Sequence, residues 1–413
     1  MARVLFFCTS SFPYGTGETF IENEIPFLSQ AFDLIVIVSN DTISPQTRTI
    51  PQNVVCQRIS YELPKFQKFL SIFGIFSKLF WQEMRIITKE YRKSITGIQI
   101  KTAIQTLRKA SYIGNYMSTI IQNYSSESDS RFVYSYWTND MAFVNTKICQ
   151  KLSVQSVFSR AHRWDVYFEV NDAHYLPFRK YILTKSNGIF FISRRGYDYY
   201  AELFPLLVQK MRVSYLGVIG YFQIKTTRPN VCRIVSCSNV ISIKQIDLII
   251  HALTQIREYQ IEWIHFGDGE LFQQIQKLTH ELLDKKTNIS FSFAGRVSNT
   301  EVMNYYKNNY VDCLINVSLS EGIPVSMMEA MSFGIPVIGT NVGGVSEIIE
   351  HETNGFLLSP TPSKEEVAAA IERFCSLTHD EVQTMRNNAY NTWDTKFNAQ
   401  KNYKEFIRLI QSL

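Results

Sequence analysis

The chain has 413 residues, 45% of them hydrophobic and 19% charged, which excludes a disordered protein and is long for a single core. Its net charge of +5 is uneven: residues 1–216 hold 25 Lys/Arg and 16 Asp/Glu, a net of +9, so the rest carries 5 − 9 = −4. A basic half and an acidic half suggest two domains with different partners. No nucleic-acid motif accompanies the basic half, which favours an anionic membrane surface or a phosphate-linked acceptor.

In chain order, residues 1–8 are apolar only briefly and read as a first strand, not a signal peptide. Gly15 and Gly17 then allow close backbone approach, Glu18 reads as a helix-start acid, and Pro26 is expected to kink or end the helix that follows. Further strands are expected at 34–38, 132–136, 155–159 and 188–193. A second series follows at 232–237, 262–266, 290–294, 312–316, 336–340 and 355–358, with helical patterns between most of them. Short buried strands alternating with helices imply parallel sheets with right-handed crossovers. Two such series imply an α/β protein of two Rossmann-like, doubly wound domains. The boundary is expected at 217–227, ahead of Pro229, giving domains at 1–217 and 218–391 and a helical tail at 392–413. No run of about 18 apolar residues occurs, so no membrane-spanning helix is expected. Seven scattered cysteines without close pairs fit reduced thiols in a cytoplasmic protein.

Residues 64–109 differ from the remainder. Phe66, Phe69, Leu70, Phe73, Phe76 and Phe80 recur at helical spacing, and residues 65–109 hold ten Lys/Arg against two Asp/Glu. Two readings stay open: an aromatic, basic face set into an anionic leaflet, or a core-packed helix pair with a solvated basic side.

Residues 311–349 carry the chemistry. A buried strand at 312–317 is followed by a turn at 318–321, then Pro324 in a first helical turn and a helix over 325–333, which Gly334 stops. The backbone N–H groups of Gly322, Ile323, Pro324's neighbour Val325 and the turn before them therefore lie at a helix start beyond a strand's carboxyl end. Open α/β sheets bind ligands there. Glu321 and Glu329 stand eight residues apart on this element. Each carboxylate has two acceptor oxygens that suit a vicinal diol.

This stretch resembles glycosyltransferase family 4, the group 1 glycosyltransferases of GT-B fold. The resemblance rests on Ser318, Glu321, Gly322, Pro324, Glu329, Ala330, Gly334, Pro336, Val337, Gly343, Gly344 and Glu347. It implies two Rossmann-like domains facing a central cleft. It also implies a retaining hexosyl transfer from a nucleotide-diphosphate sugar to a saccharide or lipid-linked acceptor in surface-polysaccharide assembly. Glu321 would touch the donor hexose and Glu329 the ribose, with Gly322, Ile323, Pro324 and Val325 holding sugar and diphosphate. Lys244, ending SCSNVISIK, would meet the diphosphate, although Asn239 stands where many members have arginine. WIHFGDGE resembles the family's strand and G-x-G turn, and Gly295, Arg296 and Val297 in FAGRV the loop around the base.

In the first half, SRAHRWDVY resembles the family's R-x-H-G-x-D segment, with Arg163 in place of glycine. His162 would sit near the transferring carbon with Asp165 close by, and Gly15 and Gly17 would face the acceptor. The last helix is expected to cross back to the first domain. No metal is assigned, since the histidines show no ligand spacing, and no cofactor or nucleic acid is implied. A cytoplasmic location is expected, with peripheral attachment to the inner face of the membrane following only from the first of the two readings of residues 64–109. Three other readings compete: an epimerase or phosphorylase on the same fold, a non-catalytic nucleotide-sugar binding module, and a nicotinamide dehydrogenase. The last lacks G-x-G-x-x-G after the first strand.

Overall fold

Alternating apolar residues assign each first-half strand two buried faces. In β1 (Arg3–Thr9), Leu5 and Phe7 enter one core, and Val4, Phe6 and Cys8 the other. The computed structural model describes residues 1–171, 173–221 and 230–413. It divides into two compact units, Met1–Leu216 with Gln400–Leu413, and Gly217–Ala399.

The first unit adds β2 (Leu34–Ser39), β3 (Val54–Arg58), β4 (Ser130–Ser135), β5 (Ser156–Ala161), β6 (Gly188–Phe191) and β7 (Met211–Val213). Their order is β3-β2-β1-β4-β5-β6-β7, and every pairing is parallel. The second unit has β8 (Cys232–Cys237), β9 (Ile261–Phe266), β10 (Ile289–Gly295), β11 (Cys313–Asn316), β12 (Val337–Thr340) and β13 (Gly355–Leu358). These follow the order β10-β9-β8-β11-β12-β13, again parallel throughout. Chain direction across the sheet reverses between β1 and β4 and between β8 and β11. Loops splay apart at such switch points and leave a crevice beyond the strand ends. Strands β3 and β7 fall outside those expected from sequence. Both are sheet edges, half-exposed and short, so neither carries a buried apolar run.

Each first-unit face is covered by helices. Ile21, Ile25 and Leu28 of the helix Ile21–Ala31 share one core with Phe406 and Ile410 of the last helix, Ala399–Gln411. Pro26 lies inside Ile21–Ala31 and does not end it. The opposite core holds Phe80, Met84 and Ile87 of Lys78–Lys89 and much of Gly97–Tyr124. The aromatic segment therefore divides at Ser77. Phe80 is in the core, whereas Phe66, Phe69, Phe73 and Phe76 are 60–79% exposed. Among the described residues no helix is long and apolar enough to cross a membrane.

The unit boundary falls at Gly217; the part of the expected boundary stretch at 222–227, and Pro229 beyond it, lie outside the described residues. The chain rejoins the first unit at Gln400, later than the 392 expected from sequence. Packing explains the difference. Trp393 Nε1 donates to the Val218 carbonyl at 3.2 Å, and Val218 N donates to the Phe397 carbonyl at 2.9 Å. A Cβ at Gly220 would lie 2.0 Å from the Trp393 ring.

One buried ion pair joins the pieces of the first unit. Arg160 of β5 is fully buried; its Nη2 lies 3.3 Å from Glu24 Oε1. Its Nε donates to Tyr134 Oη and its Nη1 to the Ser214 carbonyl, each at 2.9 Å, while the guanidinium stacks over Phe406 at 4.2 Å. Two strands, two helices and the loop after β7 meet at this one cation. Glu24→Ala strands a buried charge and is expected to cost about 3–5 kcal/mol. Urea unfolding followed by circular dichroism checks this; a loss under about 1 kcal/mol would show that the pair is not the organiser.

Candidate active site

In the second unit, the loops after β8 and β11 leave the switch point side by side. Leu319 N donates to the Ile243 carbonyl at 2.9 Å and holds them together. A single helical turn, Ser242–Lys244, raises Lys244 so that its Nζ lies 2.5 Å from Glu321 Oε1. Asn316 Nδ2 donates to the same oxygen at 3.1 Å. The turn carrying Glu321 is fixed from the far side. Gly343 has φ +55°, and a Cβ there would lie 1.9 Å from the Glu321 carbonyl oxygen. Gly344 N donates to the Gly322 carbonyl at 2.6 Å. Only glycine permits this contact, which accounts for the G-G pair.

Beyond the turn, Pro324 caps the helix Val325–Met331, which places residues 322–325 at its start. The helix turns Glu329 inward, where Asn299 Nδ2 donates to its Oε1 at 2.7 Å. Burial pushes the Glu329 carboxyl up from 4.5 to about 7, against the Asn299 hydrogen bond. The Cys237 thiol at the end of β8 is pushed up to about 12, first by burial and then by the Glu329 charge, with Lys244 opposing. Lys244, Glu321 and Glu329 therefore converge on the end of β8.

Gly295 (φ +66°) ends the edge strand β10, Arg296 and Val297 follow it, and Asn299 ties their loop to Glu329. Arg296 is exposed and forms no ion pair among the described residues. Asn239 is exposed too. The G-D-G turn after β9 supports this loop: a Cβ at Gly267 (φ +134°) would lie 1.9 Å from the Ser238 carbonyl.

The first-unit residues form their own group beyond β1, β4 and β5. Glu18 is buried with φ +55°, and its carboxylate accepts from Ser10 N, Ser11 N and Phe12 N at 2.7–2.9 Å and from Trp137 Nε1 at 2.5 Å. It is a template for the loop, not the helix-start acid expected. Gly15 (φ +59°) is bound through its carbonyl by Arg48 Nη1 at 2.6 Å, and Gly17 is exposed beside Ser11. Asp165 is fully buried: Oδ2 accepts from Thr138 N and Oδ1 from His162 N, both at 2.6 Å. Asp165 thus joins two strand-end loops and presents no free oxygen to a ligand. The His162 ring lies among Trp137 at 4.3 Å, Tyr136 at 4.8 Å and Phe20 at 6.0 Å. Although it is 6% exposed, neither ring nitrogen has a hydrogen-bond partner among the described residues. A buried imidazole left this way is suited to a polar ligand.

Residues 222–392, which lie in the second unit, fit the family of glycosyl transferases group 1. The second unit is a group 1 glycosyl transferase domain. The putative colanic acid biosynthesis glycosyltransferase WcaL of Escherichia coli K12 is 36% identical over 93 residues, 22% of this chain and 23% of that protein. The amylovoran biosynthesis glycosyltransferase AmsK of Erwinia amylovora is 25% identical over 187 residues, 44% of this chain and 45% of the relative. The matched stretch thus spans about a quarter of the colanic acid protein and under half of the amylovoran one. By structure, the lipopolysaccharide outer core galactosyltransferase WaaB is similar over 99% of both chains, with TM-score 0.68 and 16% identity. HepE of Anabaena, in complex with UDP, covers 100% of both at TM-score 0.65 and 14% identity. These likenesses show the GT-B fold.

Within the group 1 domain, sequence reasoning singled out Lys244, Glu321 and Glu329, which the fold brings together. It missed Asn299 and Asn316. Asn299 follows Ser298, whose S-x-x-E capping box with Glu301 marks a helix start and so gave a signal for its position. In the first unit it missed Trp137, for which no local pattern speaks.

The raised Glu329 value has a thermodynamic consequence. Between pH 4.5 and about 7 the folded carboxyl keeps a proton that the unfolded chain has lost. Its contribution therefore makes stability fall as pH rises through that window and level off above it. Glu329→Gln is expected to remove this slope, changing the gap between variant and wild type by up to about 3 kcal/mol, at about 1.4 kcal/mol per pH unit. Denaturant unfolding at intervals from pH 5 to 8 measures it, and parallel curves would place the Glu329 carboxyl at its ordinary value.

Proposed function

We propose that the protein is a retaining glycosyltransferase, moving a hexosyl unit from a nucleotide-diphosphate sugar to a lipid-linked or growing surface-polysaccharide saccharide at the cytoplasmic face of the membrane. One observation carries this reading: a cation and a carboxylate, Lys244 and Glu321, lie 2.5 Å apart at the switch point of a group 1 domain, with Glu329 close by. Solved relatives of the same fold include HepE in complex with UDP-glucose, which supports a nucleotide-sugar donor.

In this reading Lys244 moves onto the diphosphate, and Glu321 takes the hexose hydroxyls that replace the ammonium. Glu329 accepts from the ribose diol, residues 322–325 offer backbone donors, and Gly295, Arg296 and Val297 flank the base. The anomeric C–O bond to the diphosphate breaks as the acceptor oxygen bonds to the same face. The acceptor proton passes to the leaving phosphate oxygen. Lys244 is the one Lys/Arg between Arg233 and Arg257, so on this loop the developing phosphate charge falls on it. The reading calls for no metal or cofactor. The first unit supplies the acceptor side, with His162 available to hydrogen-bond a sugar hydroxyl, Asp165 holding its backbone, and Gly15 and Gly17 lining the acceptor loop.

Glu321→Gln and Lys244→Ala are each expected to lower turnover at least about tenfold, the loss of roughly one charge-assisted contact in the transition state, with the fold intact, although Lys244→Ala leaves the Glu321 carboxylate without its cation and lowers the melting temperature. A thermal-shift screen of UDP-, GDP-, ADP- and dTDP-sugars is expected to single out one donor, and Glu329→Ala to abolish that shift. Wild-type turnover in both variants would reject the site.

A further inference from the structure

The exposed phenylalanines of the first unit belong to a docked element, not a loose loop. Lys65–Leu70 and Ser71–Phe76 lie against the helix Gly97–Tyr124 through their inner side. Gln67 Oε1 accepts from Arg108 Nε at 2.7 Å, Ser71 is buried, and a Cβ at Gly74 would lie 3.3 Å from Ile104. The outer side carries Phe66, Phe69, Ile72, Phe73 and Phe76, with Trp81 on the next helix, all more than half exposed. A patch of this size and aromatic content on an ordered element marks an interaction surface.

Charge identifies the occupant. Residues 65–109 hold two acids, and both are engaged internally. Glu83 is buried and accepts from Tyr175 Oη and Phe178 N at 2.8 Å, while Glu90 is clasped by Lys180 at 2.6 and 2.7 Å. Lys65, Lys78, Arg85, Lys89 and Lys101 are exposed and have no ion-pair partner among the described residues. Glu62 at the rim reaches Lys68 only at 3.9 Å. A second copy of this face would meet it with like charge. The helix Lys78–Lys89 also lends Leu79, Arg85 and Lys89 to a recess of about 620 Å³ that Phe178, Tyr181 and Lys185 help to line. Cationic groups thus flank the apolar patch, and in the recess they stand beside Glu83 and Glu90.

We propose that residues 65–76, with Trp81, form an interfacial anchor that inserts its phenylalanines into an anionic bilayer while the flanking lysines and arginines meet the phosphate headgroups. Insertion to the headgroup–acyl boundary, about 5–10 Å deep, needs no unfolding, since the residues already point outward. The inference takes its choice of a bilayer from the lipid-linked acceptor reading but concerns binding alone. Its test therefore reads binding and donor-site function separately.

Wild-type protein is sedimented with phosphatidylglycerol vesicles and with phosphatidylcholine vesicles at low and high salt, beside Phe69→Ser/Phe73→Ser/Phe76→Ser and Lys65→Glu/Lys78→Glu. Binding is expected to anionic vesicles only, to weaken with salt, and to fall at least tenfold in both variants. Their melting temperatures and thermal shift with the sugar donor should match wild type. Absence of wild-type binding at low salt, or undiminished binding by the triple-serine variant, overturns the proposal. So does a concentration-dependent dimer that the triple-serine variant abolishes, which would make a second copy the occupant. Vesicle binding without any donor shift would leave the anchor standing and sink the transferase reading instead.

Discussion

The site in the second unit depends on a missing methyl group. Glu321 has to leave β11 on a turn that aims its carboxylate back at Lys244, and that turn is held by backbone pressed against backbone at Gly343 and Gly344. Any side chain at Gly343 would displace the Glu321 carbonyl and with it the carboxylate. The loop bearing Lys244 is supported in the same manner, with Gly267 closing on the Ser238 carbonyl. Two acidic and basic side chains are thus set by four stretches of main chain, which are far stiffer than the side chains they carry. Such preorganisation is what a site acting on developing charge needs.

The first unit reaches the same end by a different route. Its strand-end loops are organised by buried carboxylates that collect backbone N–H groups. Glu18 gathers the loop after β1, and Asp165 links the loops after β4 and β5. A carboxylate can accept several donors at once, so each acid substitutes for a segment of regular structure where the sheet has ended. The outcome is a rigid rim in which the His162 imidazole is walled by aromatic rings yet, among the described residues, left without a hydrogen bond.

The two sheets were legible because parallel strands buried on both faces write continuous apolar runs into the sequence. Residues 232–237 and 355–358 match their strands end to end. Strands β3 and β7 escaped because their short, half-exposed sequences hold no such run, whereas the edge strand β13 is largely buried and does. Among site residues, Glu321 and Glu329 were visible through spacing and neighbouring glycines. Trp137 was not, since its contact spans 119 residues to Glu18, and the capping box at Ser298 marked a helix start without showing the contact of Asn299 with Glu329, 30 residues away. Glu18 shows the deeper limit. An acid just ahead of a helix looks like a dipole partner, and nothing local says that its backbone will turn left-handed and bury the carboxylate beneath the preceding loop. Pro26 misled in the other direction: a helix packed on a core tolerates the loss of one N–H when its apolar face remains covered.

The ion pair between Lys244 and Glu321 also bears on selectivity. In the free protein each charge answers the other, so an incoming phosphate that draws Lys244 away strands a nearly buried carboxylate. Free phosphate or diphosphate gains a cation and imposes that penalty in full. A neutral sugar satisfies the carboxylate only by leaving the ammonium unmatched. A molecule that carries anion and hydroxyls on one scaffold is the ligand that settles both at once. Under the proposed reading, the pair makes the empty site a coincidence detector, closed to the abundant phosphates of a cell and opened by a sugar already joined to its leaving group.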